Sequence, residues 1–307
     1  MDSISKAIEA VKTKLPLIRC RLNEPMKSHT SFKIGSSLRA MFFPRTTAEL
    51  VDLCTLIRVY GIPPLIIGNG TNLLVDDSKP LDMIAVKTTE IDEVRQTGET
   101  EITAEAGVSL SRLALFAHEC GLSGLEYAHG IPGSLGGAIS INAGAYGSEM
   151  KDTVFNTSAF NYDTGIYSVI GDQHEFSYRR SRFSDTGDII LSSVIRLHNG
   201  DKEIIRAKMD ELFARRRESQ PLELPSAGST FKRPQDGYAA AFIEQAGLKG
   251  YSVGGAQVSV KHAGFVVNTG NATFADIMSV IEHVKETVSK QFGVILEQEN
   301  TIIMCGR

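Results

Sequence analysis

Apolar residues recur along the chain at two spacings, and the changes from one to the other mark out its elements. Ile4, Ile8, Val11 and Leu15 fall three or four residues apart with lysines between them. That spacing predicts an amphipathic helix rather than the unbroken apolar centre of a signal peptide. Thr46 and Glu49 form a capping-box pattern ahead of Leu50, Leu53, Cys54 and Ile57, with Gly61 as the stop. A helix starting near Ser109 puts Leu110, Leu113, Ala114 and Ala117 on one face and ends at Gly121. A longer helix is expected from about Lys202 to Glu218 and a short one ending at Gly247. Thr273 and Asp276 then open a helix whose stripe is Ile277, Val280, Ile281, Val284 and Val288, stopped by Gly293.

Short apolar runs and alternating stretches predict strands at Leu65–Ile67 and Leu73–Val75, around Ile102, Ala104 and Ala106, and from Asp188 to Leu197. Further strands are expected around Gly264–Asn268, at Val294–Leu296 and at Thr301–Met304. Ser158–Tyr162 and Ile166–Ile170 flank Asp163-Thr164-Gly165, a hairpin signal. Residues 121–147 hold eight of the 28 glycines, so that stretch is expected to be mostly loop and tight turn. The order of elements is α+β, without regular βαβ repetition and without an internal repeat. The Lys202–Glu218 helix reads as a connector between residues 1–200, themselves in two parts of about 1–80 and 81–200, and a smaller unit at 201–307.

Composition narrows the function classes. The 307 residues are 42% hydrophobic and 22% charged, an ordinary globular balance that fits two or three compact units. A net charge of −4 argues against a nucleic-acid scaffold, because phosphate neutralisation needs a basic face. The run Arg215-Arg216-Arg217 is an anion contact or a solvated helix face. No apolar run approaches the ~18 residues of a membrane span. Cys20, Cys54, Cys120 and Cys305 are scattered with no CxxC pair, and the seven histidines form no HExxH or Cys/His cluster. Reduced thiols, a cytoplasmic location and no metal are therefore expected.

Two glycine clusters carry the first chemical signal. Gly68-Asn69-Gly70-Thr71-Asn72 follows an apolar strand, but Leu73 stands where a dinucleotide fingerprint needs a third small residue, and a strand follows instead of a helix. A strand–turn–strand whose backbone N–H groups form an anion nest, or a plain tight turn, remains. In Gly130-Ile131-Pro132-Gly133-Ser134-Leu135-Gly136-Gly137-Ala138, four glycines keep side chains away and a backbone can lie against a ring or a pyrophosphate. Taken together, the two clusters point to one extended cofactor.

Gly68–Leu73 followed by GIPGSLGGAISINAGAYG closely resembles the FAD domain of the UDP-N-acetylenolpyruvoylglucosamine reductase family, within the flavoproteins of the p-cresol methylhydroxylase/vanillyl-alcohol-oxidase type. The resemblance continues through Tyr178-Arg179-Arg180-Ser181-Arg182-Phe183, Gln220-Pro221-Leu222-Glu223 and Pro225-Ser226-Ala227-Gly228-Ser229. It resumes at Ala246-Gly247-Leu248-Lys249-Gly250, Val258-Ser259-x-Lys261-His262 and Leu296-Glu297-Gln298-Glu299. These blocks stand in family order over nearly the whole chain.

The resemblance implies a two-part FAD-binding domain with a smaller C-terminal α+β substrate domain. It also implies FAD, NADPH and a UDP-sugar enolpyruvyl ether as ligands, and a monomeric enzyme of peptidoglycan precursor synthesis. The cofactor positions carried over are Gly68, Asn69, Gly70, Thr71, Asn72 and Leu73, then Gly130, Ile131, Pro132, Gly133, Ser134, Gly136, Gly137, Ala138 and Gly144.

Reducing an enol ether conjugated to a carboxylate requires hydride at the terminal carbon, a cation or donors for the growing carboxylate charge, and a proton for the adjacent carbon. Ser229 matches the family's proton donor and Arg179 its catalytic arginine. Glu299 matches its catalytic glutamate, and beside an anionic intermediate it is expected to act protonated; Glu297 is the competing carboxylate. Lys249 and His262 match substrate contacts, Lys232 lies beside Ser229, and Arg216 or Arg217 is a candidate for a phosphate or carboxylate.

The chain departs from a common family pattern at Arg233, where many relatives carry asparagine. The short interval from Arg179 to Ser229 resembles the short-form branch, which lacks an inserted hairpin lid. Two other readings stay open on residues alone: a flavin oxidase or dehydrogenase acting on an alcohol, and a non-catalytic flavin or nucleotide-sugar binder.

Overall fold

Ile189, Ile190 and Leu191 are consecutive and all buried, yet they serve two different cores. Alternation along a strand sends neighbouring side chains to opposite faces, so a strand with apolar matter on both sides reads as an unbroken apolar run. In the computed structural model, which describes residues 2–305, this strand (Ile189–Arg196) is the centre of a five-stranded antiparallel sheet. The order is Gly165–Ile170, Val154–Asn161, Ile189–Arg196, Glu101–Glu105 and Val94–Gln96.

Helices α1 (Ser3–Lys14) and α2 (Thr47–Val59) bury Ile8, Val11, Leu50, Leu53 and Ile57 with Ile189 and Leu191. On the other side, α3 (Leu110–Glu119), the short α4 (Leu135–Ser140) and, beyond α5 (Phe183–Thr186), α6 (Lys202–Ser219) pack with Ile190 and Ile195. The capping signals act where the sequence puts them: Thr46 accepts from Glu49 N and Ser109 from Arg112 N. Asn161 Oδ1 accepts from the N–H groups of Asp163 and Thr164, which turns the chain into the expected hairpin.

The chain divides into two compact units, one of Met1–Leu22, Ala40–Asn69 and Met83–Arg215, the other of Asn23–Arg39, Gly70–Asp82 and Arg216–Arg307. A four-stranded sheet runs Arg19–Pro25, Ser37–Phe43, Leu81–Lys87, Leu65–Ile67, the last two parallel. In the second unit, α7 (Ala239–Gln245) and α8 (Phe274–Phe292) form one core with the three-stranded sheet Ser252–Val253, Ala256–Val258, Val266–Asn268. Thr273 and Asp276 make the full capping box of α8, and Gly293 takes the left-handed turn that ends it. Leu73–Val75 pairs in parallel with Thr301–Ile303.

One expectation is corrected and another refined. Val294–Leu296 is not a strand: Ile295 points into solvent, and pairing begins only where Lys232 N donates to Glu297 O and Glu299 N to Thr230 O. The glycine-rich stretch contains a helix, α4, which carries Gly136 and Gly137 within it. Propensity opposes those two positions, but the helix is tied down at its start by Leu135 N to Val108 O and Gly136 N to Ala106 O, so tertiary bonds override it.

Candidate functional site

Gly68 and Asn69 meet the second glycine cluster in the first unit. Asn69 Nδ2 donates to Pro132 O at 2.8 Å, and a Cβ at Gly68 would overlap the Ser134 hydroxyl. Ser134 is buried, and Leu110 N donates to Gly133 O at 3.0 Å, which fixes the cluster to the start of α3. The cluster follows a 3-10 turn, Glu126–Ala128. Beside the meeting point lies a cavity of about 340 Å³ lined by Gly68, Thr88, Gly136, Gly137, Ser140 and Asp188, among others. Four of its lining residues are glycines, Gly68, Gly136, Gly137 and Gly187. Asp188, held below the usual carboxylate range although burial opposes it, takes hydrogen bonds from Tyr167 and Asn161. Ala138 is buried beneath the glycines, while Gly130 and Ile131 border the segment half-buried.

Arg179 stands in the same unit at the tip of a tight turn. Ser177 N donates to Arg180 O at 3.0 Å and Arg180 N to Ser177 O at 3.2 Å, with Tyr178 and Arg179 between them. Arg179 has φ +55°, a left-handed conformation that costs a residue with a Cβ about 1–2 kcal/mol. Its Nη2 donates to Gly144 O at 3.1 Å, and its guanidinium lies 5.1 Å from the centre of the Tyr178 ring. A strained backbone holding a cation against the glycine segment is the kind of outlier that marks a working site.

The second unit gathers the remaining catalytic candidates around one amide. Asn300, 6% exposed, donates from Nδ2 to Ala227 O at 2.8 Å, Asn72 Oδ1 at 3.1 Å and Ser229 O at 3.4 Å. Asn72 Nδ2 reaches Glu299 O at 3.3 Å, and Thr301 N donates to Asn72 O. Asn72, Ser229 and Glu299 are thus brought together, with Thr71 and Leu73 flanking Asn72. Asn300 belongs to no motif read from the sequence, and its only signal is its place after Glu299. The Ser229 hydroxyl makes a long bond, 3.3 Å, to Phe231 O. Glu297 stands apart: it is exposed and paired with Lys232 Nζ at 3.3 Å.

Lys249 and His262 are neighbours, with Lys249 Nζ 2.7 Å from Glu244 Oε1. His262 Nδ1 accepts from Gly264 N, and burial, helped by the Lys249 charge, pushes its pKa below the ordinary histidine value. Exposed pairs such as Lys249–Glu244 and Lys232–Glu297 hold weakly, so an anionic ligand can exchange for the carboxylate at small cost. Arg216 is half-buried in the last turn of α6. Among the described residues no helix is long and apolar enough to cross a membrane, and no three His, Cys, Asp or Glu side chains gather as a metal site.

Gly70 gives a direct test of the second unit's loop. It has φ +66°, and a Cβ there would overlap the backbone oxygen of His29. Gly70→Ala is therefore expected to cost about 2–4 kcal/mol, from the left-handed backbone and the overlap together. Thermal unfolding checks this, and an unchanged melting temperature would contradict it.

Comparison with known proteins gives consistent results. A family model described as "UDP-N-acetylenolpyruvoylglucosamine reductase, C-terminal domain" matches residues 220–303, and one described as "FAD binding domain" matches 38–167. The UDP-N-acetylenolpyruvoylglucosamine reductase of Caldanaerobacter subterraneus subsp. tengcongensis is 48% identical over 96% of this chain and 97% of its own length. That of Syntrophomonas wolfei is 43% identical over 94% and 96%. Among solved structures, the UDP-N-acetylenolpyruvylglucosamine reductase of Thermus caldophilus superposes with a TM-score of 0.79 at 30% identity, covering 93% of this chain and 98% of that one.

Proposed function

Because the chain belongs to the UDP-N-acetylenolpyruvoylglucosamine reductase family, we propose that it uses FAD and NADPH to reduce the enolpyruvyl ether of UDP-N-acetylglucosamine to UDP-N-acetylmuramate, a step of peptidoglycan precursor synthesis. The observation that carries the cofactor reading is the junction of the two glycine segments at Asn69 and Pro132, beside a cavity with Gly68, Gly136 and Gly137 in its wall. At Gly68, Gly136 and Gly137 no side chain projects from the wall, which fits a dinucleotide lying against it there. Bound there, FAD supplies the hydride relay between the nicotinamide and the enol ether.

The chain's own residues supply the rest. Arg179 takes the substrate carboxylate, where charge grows as the double bond is reduced; its planar, permanently charged fork suits a two-oxygen acceptor. Ser229 gives its hydroxyl proton to the carbon next to the carboxylate. A serine is a weak acid, so this transfer requires a strongly basic carbon held directly against Oγ. Glu299, protonated, donates a hydrogen bond to the same developing charge. Lys249, His262, Lys232 and Arg216 are assigned to the anionic sugar-nucleotide part of the substrate. The reaction is read as that of a cytoplasmic monomer.

The purified protein should show a flavin spectrum and oxidise NADPH steadily only when UDP-N-acetylglucosamine enolpyruvate is present. A colourless protein, or NADPH oxidation indifferent to the ether, would overturn the assignment.

A further inference from the structure

We infer that Asn142 is a positioning residue for Arg179, an inference that rests on Arg179 being the carboxylate contact. Asn142 is fully buried, so it does not itself reach a ligand. Its Nδ2 donates to Ser177 O at 3.0 Å, the same carbonyl that accepts from Arg180 N to close the turn bearing Arg179. Its Oδ1 accepts from Lys151 N at 3.0 Å. Both ends of the amide are used, and turning it over would set N–H against N–H and oxygen against oxygen, so its orientation is fixed.

Further bonds join the same two segments. Ser181 Oγ and Ser184 Oγ both donate to Ser140 O, at 2.7 and 2.6 Å, and Arg179 Nη2 donates to Gly144 O. The arginine turn is thus sewn to the segment running on from α4, whose glycines line the cavity. The serine bonds lie beyond Arg180, and the bond to Gly144 comes from the end of the long Arg179 side chain rather than from the turn's backbone. Asn142 grips the backbone that closes the turn, at Ser177 O. Asn142 has φ +44°, so Asn142→Gly keeps that conformation while deleting the amide. Asn142→Asp keeps the acceptor for Lys151 and loses the donor to Ser177.

The test measures two rates in each variant: bleaching of the bound flavin by NADPH, and return of its colour when the enolpyruvyl sugar is added. Both Asn142 variants should hold flavin and bleach normally, while colour returns about tenfold more slowly, the size expected for one buried hydrogen bond. In the Arg179→Met background, adding Asn142→Gly should slow the second rate no further, because residues acting as a unit are not additive.

An undiminished second rate in the Asn142 variants would overturn the inference, as would full additivity with Arg179→Met. Loss of flavin from both Asn142 variants would also overturn it, making Asn142 part of the cofactor cradle. If Arg179→Met alone returns colour normally, the reading of Arg179 itself fails and this inference falls with it.

Discussion

Ser229→Ala should leave a flavoprotein that NADPH still bleaches but that the enolpyruvyl sugar restores about 10²–10⁴-fold more slowly, the usual worth of a positioned proton donor. The effect should fall on kcat and leave KM nearly unchanged, because a hydroxyl needed only when the carbon becomes basic adds little to ground-state binding. The local structure makes the substitution clean. The Ser229 backbone is held by Asn300 through its carbonyl, and the hydroxyl's own bond to Phe231 O is long at 3.3 Å. Removing Oγ therefore disturbs little besides the proton. Colour returning at the unsubstituted rate would show that another group protonates the product.

Arg179 should show stability and activity moving apart. Arg179→Met is expected to lower substrate-dependent turnover by about 10²–10³-fold, typical of removing one charge-stabilising donor. Arg179→Gly should lose as much, yet melt no lower than the unsubstituted protein. Its φ of +55° burdens any residue with a Cβ, and glycine relieves that strain. The prediction is checked by pairing thermal unfolding with steady-state rates. A large drop in melting temperature for Arg179→Gly would mean that the bond to Gly144 O matters more to folding than the strained turn costs.

The helices were legible because their signals are local. The apolar stripe of α8 and its Thr273–Asp276 box specify its face and its start, and every stripe residue is buried. The Ile189–Leu191 run was legible as a strand, though not its service to two cores, since that depends on what lies on each side. Val294–Leu296 misled for the complementary reason: three apolar residues resemble a strand, but no partner strand lies alongside. The glycine segment concealed α4 because its stability comes from bonds to Ala106 and Val108 rather than from propensity.

At the candidate site, motif residues such as Ser229 and Asn72 could be named from the sequence, whereas Asn142 and Asn300 could not. An asparagine that holds backbone carbonyls has no periodicity and no fixed spacing from what it holds. Its role appears only once the acceptors are in place.

The parallel pairing of Thr301–Ile303 with Leu73–Val75 has a consequence for how the protein is made. The loop Gly70–Asn72 leaves the ribosome early, yet one of the bonds that hold it comes from Thr301 N, and its neighbouring strand finds its partner only in Thr301–Ile303. A contact so distant in sequence forms late and slowly, because the whole intervening chain must first be closed into a loop. The loop proposed to contact the flavin therefore passes most of translation without its final support, and its assembly belongs to the last steps of folding.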